Sequence, residues 1–142
     1  MKRLFLILAA VAVSWACTAD NRPVNSDQLP SAAKLFIEAN YPGEKVSYAY
    51  ADDDLVRPDY TVRLSNGVEI QFEHDGSLEK ISARAGVPAG VVPVQITDYV
   101  KAYYPDAVII EYEVGRKEYD VNLSNGLELK FNSKFHLKDI DD

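Results

Sequence analysis

The sequence reads LSNGVEIQF at residues 64–72 and LSNGLELKF at residues 123–131. In both stretches, apolar and polar residues alternate on either side of a Ser-Asn-Gly turn, which is typical of a β-hairpin. A three-residue loop pairs Leu64 with Val68, whereas a two-residue Asn-Gly turn would pair Leu64 with a glutamate. Because only the first register collects the apolar side chains on one face, we predict two hairpins with three-residue loops. The glycine of each loop is then expected to take a positive φ angle.

Short motifs extend each hairpin into a longer repeated unit. Leu29-Pro30 recurs as Val92-Pro93, and Tyr41-Pro42 recurs as Tyr104-Pro105, both 63 positions later. Apolar residues at helical spacing lie between the two motifs of each copy, and the residue before a proline is pushed out of the α region, so each Tyr-Pro ends a helix. The sequence therefore predicts an α+β fold of two tandem repeats, each a helix packed on a three- to four-stranded antiparallel sheet.

The N-terminal residues are typical of a targeting segment. Lys2 and Arg3 precede an apolar run that is too short to span a bilayer, so residues 1–16 are predicted to be a signal peptide. The remaining parts are predicted as a flexible segment at 17–27, the first repeat at 28–83, a linker at 84–90 and the second repeat at 91–142. The protein is therefore expected to be exported to the periplasm.

Cys17 is the only cysteine, so no disulfide can form within one chain. It lies where a bacterial lipoprotein would carry its acylated cysteine, but Ser14 and Trp15 depart from the usual lipobox. Lipidation of Cys17, which would anchor the protein to a membrane, and simple cleavage before this residue both stay open.

The charge balance limits the choice of partner. The chain has 22 acidic and 15 basic residues, a formal net charge of −7 at pH 7. An acidic protein is repelled by nucleic acid and by anionic lipid surfaces. We therefore expect no nucleic-acid partner, and a protein or peptide of the cell envelope is the expected partner.

The doubled Leu-Ser-Asn-Gly hairpin, with its Leu/Val-Pro and Tyr-Pro motifs, resembles the PepSY-like, β-lactamase-inhibitor-like proteins that Bacteroides-type bacteria export. The resemblance implies a domain that is not an enzyme, and related folds bind and inhibit secreted enzymes through an exposed sheet surface. One turn departs from the family pattern. Asp75-Gly76 matches the second turn of the family in the first copy, but Lys134-Phe135 stands there in the second copy.

The sequence offers few residues that could bind a metal or support catalysis. His74, Asp75 and the run Asp52–Asp54 offer metal ligands, but no glycine follows the run at the position that an EF-hand requires, and His136 belongs to a different turn. Neither histidine lies in a setting that suggests a nucleophile and its base. We therefore predict no catalytic residue, no metal site and no cofactor. An envelope hydrolase and a calcium-responsive structural component are the alternatives.

The expected function is a non-catalytic exported binding module, an inhibitor or regulator of a secreted or envelope enzyme. If each helix covers the apolar face of its sheet, the other face is free to bind a partner. The residues predicted on that face are Thr61, Arg63, Glu69, Gln71 and Glu73 in the first copy, with Asp120, Asn122, Glu128, Lys130 and Asn132 in the second. Alternation assigns Tyr48, Tyr50, Tyr60, Tyr112 and Tyr119 to the core, and Tyr103 is the freer candidate for a contact surface.

Overall fold

The computed structural model describes residues 21–142, so the predicted signal peptide at 1–16 and the lipidation candidate Cys17 lie outside the described residues. The strands are β1 Arg22–Val24, β2 Val46–Ala51, β3 Tyr60–Leu64, β4 Glu69–Phe72, β5 Leu78–Ser82, β6 Ile109–Val114, β7 Glu118–Leu123, β8 Glu128–Asn132 and β9 Leu137–Asp141. The helices are α1 Ser31–Asn40 and α2 Val94–Tyr103, and a 3₁₀ turn covers Ser26–Gln28. Strand β1 thus falls within the segment that was predicted to be flexible.

All nine strands form one antiparallel sheet in chain order, from β1 at one edge to β9 at the other. The prediction of two tandem helix-on-sheet units is therefore wrong. The two repeats merge because β5 pairs with β6, where Ile81 lies opposite Tyr112 and Ser82 lies opposite Glu111. An unpaired strand edge exposes backbone N–H and C=O groups, and the β5–β6 pairing satisfies these groups at the edge of each repeat.

The hairpin register derived from the sequence is confirmed. Val62 lies opposite Ile70, and the Leu64 amide donates a hydrogen bond to the Val68 carbonyl over 2.9 Å. Gly67 has a φ angle of 88°, and Gly126 has a φ angle of 91° at the same place in the second copy. Both angles lie in the left-handed region, which glycine enters without a steric penalty.

Both helices lie on one face of the sheet and share one hydrophobic core with it. A row of apolar residues crosses that face in register through Ala49, Val62, Ile70, Ile81, Tyr112, Val121 and Leu129. Helix α1 places Phe36 edge-on against Phe72, with ring centroids 5.6 Å apart, and helix α2 places Tyr99 against Phe131 at 5.5 Å. Within residues 21–142, the helices therefore cover one side of the sheet across both repeats and leave the other side uncovered.

A β-bulge in β2 changes which residues face the core. The register shifts between Val46 and Tyr48, and beyond this point Ala49 is buried while Tyr48 is 48% exposed. Simple alternation from Val46 assigns Tyr48 and Tyr50 to the core, and this prediction is wrong. The bulge adds one residue to the strand, so every side chain beyond it moves to the opposite face.

Candidate functional site

The candidate site is the sheet face opposite the helices, called the open face below. Its residues alternate with those of the core and align across the strands in two rows. The first row is Tyr48, Arg63, Glu69, Ser82, Glu111, Asn122, Glu128 and Asp141, and the second is Tyr50, Thr61, Gln71, Lys80, Glu113, Asp120, Lys130 and Asp139. The rows run across the boundary between the repeats without a break.

Eight of the residues predicted for a binding face stand in these two rows: Thr61, Arg63, Glu69, Gln71, Asp120, Asn122, Glu128 and Lys130. The other two, Glu73 and Asn132, extend the same face at the ends of β4 and β8. The structure thus brings the ten residues onto one surface. Their role in binding stays a prediction.

Sequence reasoning missed the open-face residues of β2, β5 and β6, namely Tyr48, Tyr50, Lys80, Ser82, Glu111 and Glu113. The alternation of Lys80 and Ser82 with buried Ile81 could have indicated their side of the strand. No local signal indicates that β5 and β6 are neighbours, so their side chains could not be placed at the centre of a continuous face.

In the first repeat, the open face carries two aromatic rings and a close ion pair. Arg63 Nη2 lies 2.6 Å from Glu69 Oε2, and the Arg63 guanidinium stands 5.8 Å from the centre of the Tyr48 ring. The Tyr48 and Tyr50 rings are stacked, with centroids 6.2 Å apart. The hydrogen bond to Glu69 raises the pKa of Arg63, so its charge is held. Exposed tyrosine and arginine side chains are the residue types enriched at binding hot spots.

The Glu111 carboxylate is the centre of a polar network at the boundary between the repeats. Ser82 Oγ donates to Glu111 Oε2 over 3.0 Å, and Asn122 Nδ2 donates to Glu111 Oε1 over 3.0 Å. Lys80 Nζ lies 2.9 Å from the same carboxylate, and this contact is the largest cause of the raised pKa of Lys80. A depression of about 750 Å³ lies beside this network, with Arg63 among the residues that line it. Donors from β5 and β7 therefore fix the Glu111 carboxylate of β6.

In the second repeat, the open face has more carboxylates than cations. Lys130 Nζ lies 3.9 Å from Glu128 Oε1 and 3.8 Å from Asp141 Oδ2. Both distances are long for an ion pair, and the single ammonium group serves two carboxylates. Burial raises the pKa of the Asp120 carboxyl, and the neighbouring Glu118 carboxylate raises it further. Asp120 Oδ1 is buried and accepts no hydrogen bond from residues 21–142. Negative charge is thus less compensated here than in the first repeat.

The acidic run of the β2–β3 loop has a local structural role. Asp54 Oδ1 accepts hydrogen bonds from the Val56 and Arg57 amides at 2.9 and 3.0 Å, and these bonds lower the pKa of Asp54. Asp52 Oδ1 accepts the Asp54 amide at 3.1 Å. Asx turns of this type favour acidic residues without any ligand. Leu55 beside them is 81% exposed at the loop tip.

No metal-binding group of three or more His, Cys, Asp or Glu side chains is found within residues 21–142. His74 and His136 stand in different turns, in the first and second repeat respectively. Over the same described part of the chain, no helix is long and apolar enough to cross a membrane.

The family follows from a comparison with known proteins. Residues 13–80 and 58–139 each match the family model described as "Putative beta-lactamase-inhibitor-like, PepSY-like". The chain belongs to the PepSY-like family. The two matched segments overlap at residues 58–80, so they are only partly consistent with the internal repeat predicted from the sequence, and the repeats share one sheet. None of the curated proteins matches the chain.

Solved structures of related proteins have the same fold. A "putative periplasmic protein from DUF2874 family" of Bacteroides vulgatus is 36% identical, with a TM-score of 0.82, and the match covers 87% of this chain and 98% of that one. A "putative calcium-regulated periplasmic protein" of Bacteroides thetaiotaomicron gives the same four values. A second Bacteroides vulgatus protein, a "putative periplasmic protein of unknown function", is 30% identical with a TM-score of 0.80, over 86% of this chain and 99% of that one.

Proposed function

We propose that this PepSY-like chain is a non-catalytic module of the periplasm that binds a protein partner on its open face and thereby regulates a secreted or envelope enzyme. The observation that carries the proposal is the continuity of the open face. Nine strands present one polar surface, and both helices lie on its other side.

The size of the face supports a protein rather than a small ligand as partner. With strands about 4.8 Å apart and about 3.3 Å per residue, nine strands of roughly five residues give a planar footprint of about 650 Å². A stable protein interface buries about 800 Å² on each partner. The merged sheet comes close to this size, whereas the four strands of one repeat would supply less than half of it.

The composition of the first-repeat half supports the same proposal. Tyr48 is 48% exposed, stacks on Tyr50 and lies beneath the Arg63 guanidinium, so it is held in position before any partner arrives. A rigid aromatic side chain loses little entropy when it is buried in an interface. We therefore expect Tyr48 to be an anchor of the interface.

The family description and the periplasmic relatives support export and a binding role for this chain. Anchoring through Cys17 remains a prediction. Fatty-acid labelling of the native chain and of Cys17→Ser, with fractionation, tests it. Label in the native chain alone indicates acylation, and a native chain that is soluble in the periplasm and takes up no label would contradict it.

The test compares two exposed tyrosines on opposite sides of the molecule. The mature protein is used to capture partners from envelope extracts of its source cells, and each captured protein is titrated against Tyr48→Ala and Tyr103→Ala. Tyr103 belongs to α2 and is 67% exposed, so its removal is a control matched in side-chain size. We expect Tyr48→Ala to weaken binding about tenfold or more and Tyr103→Ala to leave it within about twofold. Weakening by Tyr103→Ala alone, or by neither variant, would contradict the open-face proposal.

Calcium is included in the same experiment, because the Bacteroides thetaiotaomicron relative is described as calcium-regulated. Capture is repeated with calcium and with a chelator. A partner that is bound equally in both conditions supports the binding module without calcium control. A partner retained only with calcium would favour the calcium-responsive alternative.

A further inference from the structure

We infer that the second-repeat half of the open face docks a cationic protein surface, on which lysine and arginine side chains approach β6 to β9. The inference rests on the proposed function and adds the chemistry of the partner. The second-repeat half is defined by Glu111, Glu113, Glu118, Asp120, Asn122, Glu128, Lys130, Asn132, Lys138, Asp139 and Asp141.

The first argument is the unequal charge of this half. Its carboxylates are Glu111, Glu113, Glu118, Asp120, Glu128, Asp139 and Asp141, and its cations are Lys130 and Lys138. Lys138 is engaged with Glu118 at 3.0 Å, and Lys80 of β5 lies 2.9 Å from Glu111 and 3.9 Å from Glu113. Within residues 21–142 this leaves Lys130 as the cation for the other four carboxylates, which are Asp120, Glu128, Asp139 and Asp141. One amino group cannot neutralise the carboxylates around it, so the field above this surface attracts positive charge.

The second argument is the unused hydrogen-bonding capacity of Asp120. Its register partner across the β7–β8 pair is Lys130, yet Asp120 Oδ1 accepts no hydrogen bond within residues 21–142. A buried carboxylate oxygen without a donor is unfavourable. Because Asp120 is only partly buried as a residue, a turn of its carboxyl would bring Oδ1 to the open face, where a lysine or arginine of a partner would donate to it. Burial, and after it the Glu118 carboxylate, raises the pKa of Asp120. This direction agrees with the lack of a hydrogen-bond donor to Oδ1.

The third argument is continuity with the first-repeat half. The two halves form one surface, and the β5–β6 pairing places Glu111 and Glu113 beside Ser82 and Lys80. A partner anchored on the tyrosines of β2 would therefore extend over the acidic strands. Charge complementarity selects a basic partner surface there and disfavours an acidic one, because like charges in an interface are costly.

The probe is a synthetic peptide of alternating lysine and threonine, with a glutamate-threonine peptide of equal length as its counterpart. Binding is measured on the mature protein by titration calorimetry, at ionic strengths of about 0.02 M and 0.2 M, where the screening length falls from roughly 20 Å to roughly 7 Å. We expect the lysine peptide to bind at low salt and to weaken with added salt. The glutamate peptide is expected not to bind.

Two variants with the same loss of charge separate a docking surface from net charge. Asp120→Asn with Glu128→Gln removes two carboxylates of the second-repeat half, and Glu38→Gln with Asp98→Asn removes two exposed carboxylates of α1 and α2. We expect the first variant to weaken the lysine peptide about fivefold or more and the second to leave it within about twofold. Melting curves establish that both variants are folded.

Equal weakening in both variants would overturn the inference, because net charge alone would then explain the attraction. Binding of the glutamate peptide, or no binding of the lysine peptide at low salt, would overturn it as well. If Tyr48→Ala still weakens the binding of captured partners, these outcomes do not contradict the proposed function. Loss of the Tyr48 dependence would instead contradict the proposed function itself.

Discussion

Strands β2 and β6 occupy equivalent places in the two repeats, and each has a bulge at the same point, after Val46 and after Ile109. Beyond the bulge, the open-face residues are Tyr48 and Tyr50 in the first repeat, and in the second repeat they are acidic. The backbone geometry is therefore shared while the exposed chemistry differs. A side chain in the core must fit its neighbours, whereas one on the open face is free to change with its partner.

The turns after β4 and β8 show a second contrast. The first repeat has Gly76 at a φ angle of 87°, and the second repeat has Phe135 at 62° in the same place. The family's turn geometry is thus kept in both copies despite the departure in sequence. Phe135 stacks on Tyr119 with centroids 5.1 Å apart, and this packing offsets the cost of a left-handed angle in a residue with a side chain.

The largest expected effect tests whether the two repeats are energetically one unit. Phe72→Ala and Phe131→Ala each remove a fully buried ring from equivalent strands, and each should cost about 3–5 kcal/mol. Because the two rings belong to one core cluster, each variant should unfold in a single transition shifted to lower urea. Far-ultraviolet circular dichroism and tyrosine fluorescence should give coincident curves. Two separate transitions, only one of them shifted, would show that the repeats fold independently.

A smaller effect is expected at the glycines of the turns. A Cβ atom at Gly76 would lie 2.9 Å from the Ala33 amide nitrogen and 2.9 Å from Pro30 Cβ, whereas Gly67 and Gly126 have open space at this position. Gly76→Ala should therefore destabilise by about 2–3 kcal/mol, through both the clash and the φ angle. Gly67→Ala and Gly126→Ala should each cost about 1 kcal/mol, through the φ angle alone. Denaturant midpoints measure the stability of all three variants. Equal losses of stability would mean that the β4–β5 turn does not pack closely against α1.

The smallest effect concerns the acidic half of the face. The folded-state pKa of Asp120 is raised above its ordinary value of 3.8, so the charged form is disfavoured in the fold. Stability is therefore lost as the pH rises through the folded pKa. Asp120→Asn should stabilise the protein by about 0.5 kcal/mol at pH 7, which is the usual size of a surface effect. The gain in stability should disappear near pH 3, because the carboxyl group of the native chain is then uncharged. Asp98→Asn on α2 is the control, and an equal gain in both variants would indicate net charge as the cause.

The sequence by itself determined the parts of this protein that depend on short-range order. Alternation on both sides of Ser65-Asn66-Gly67 was sufficient for the hairpin register, because a slip of one residue would turn Val62 and Ile70 out of the core. Helical spacing and the Tyr-Pro motifs were sufficient for the two helices. The polar residues flanking each hairpin could therefore be assigned to one face, as the positions of Arg63 and Asp120 confirm.

Only the tertiary structure decided how the two copies join and what their common face exposes. The pairing of Ile81 with Tyr112 links strands that are far apart in sequence, and no local pattern encodes such a neighbour. The bulge before Tyr48 likewise depends on how β2 fits against β3, so alternation alone placed this tyrosine on the wrong side. An unpaired edge strand leaves a row of N–H and C=O groups without partners. The β5–β6 pairing provides these partners at one edge of each repeat, and it thereby joins the two open faces into one surface.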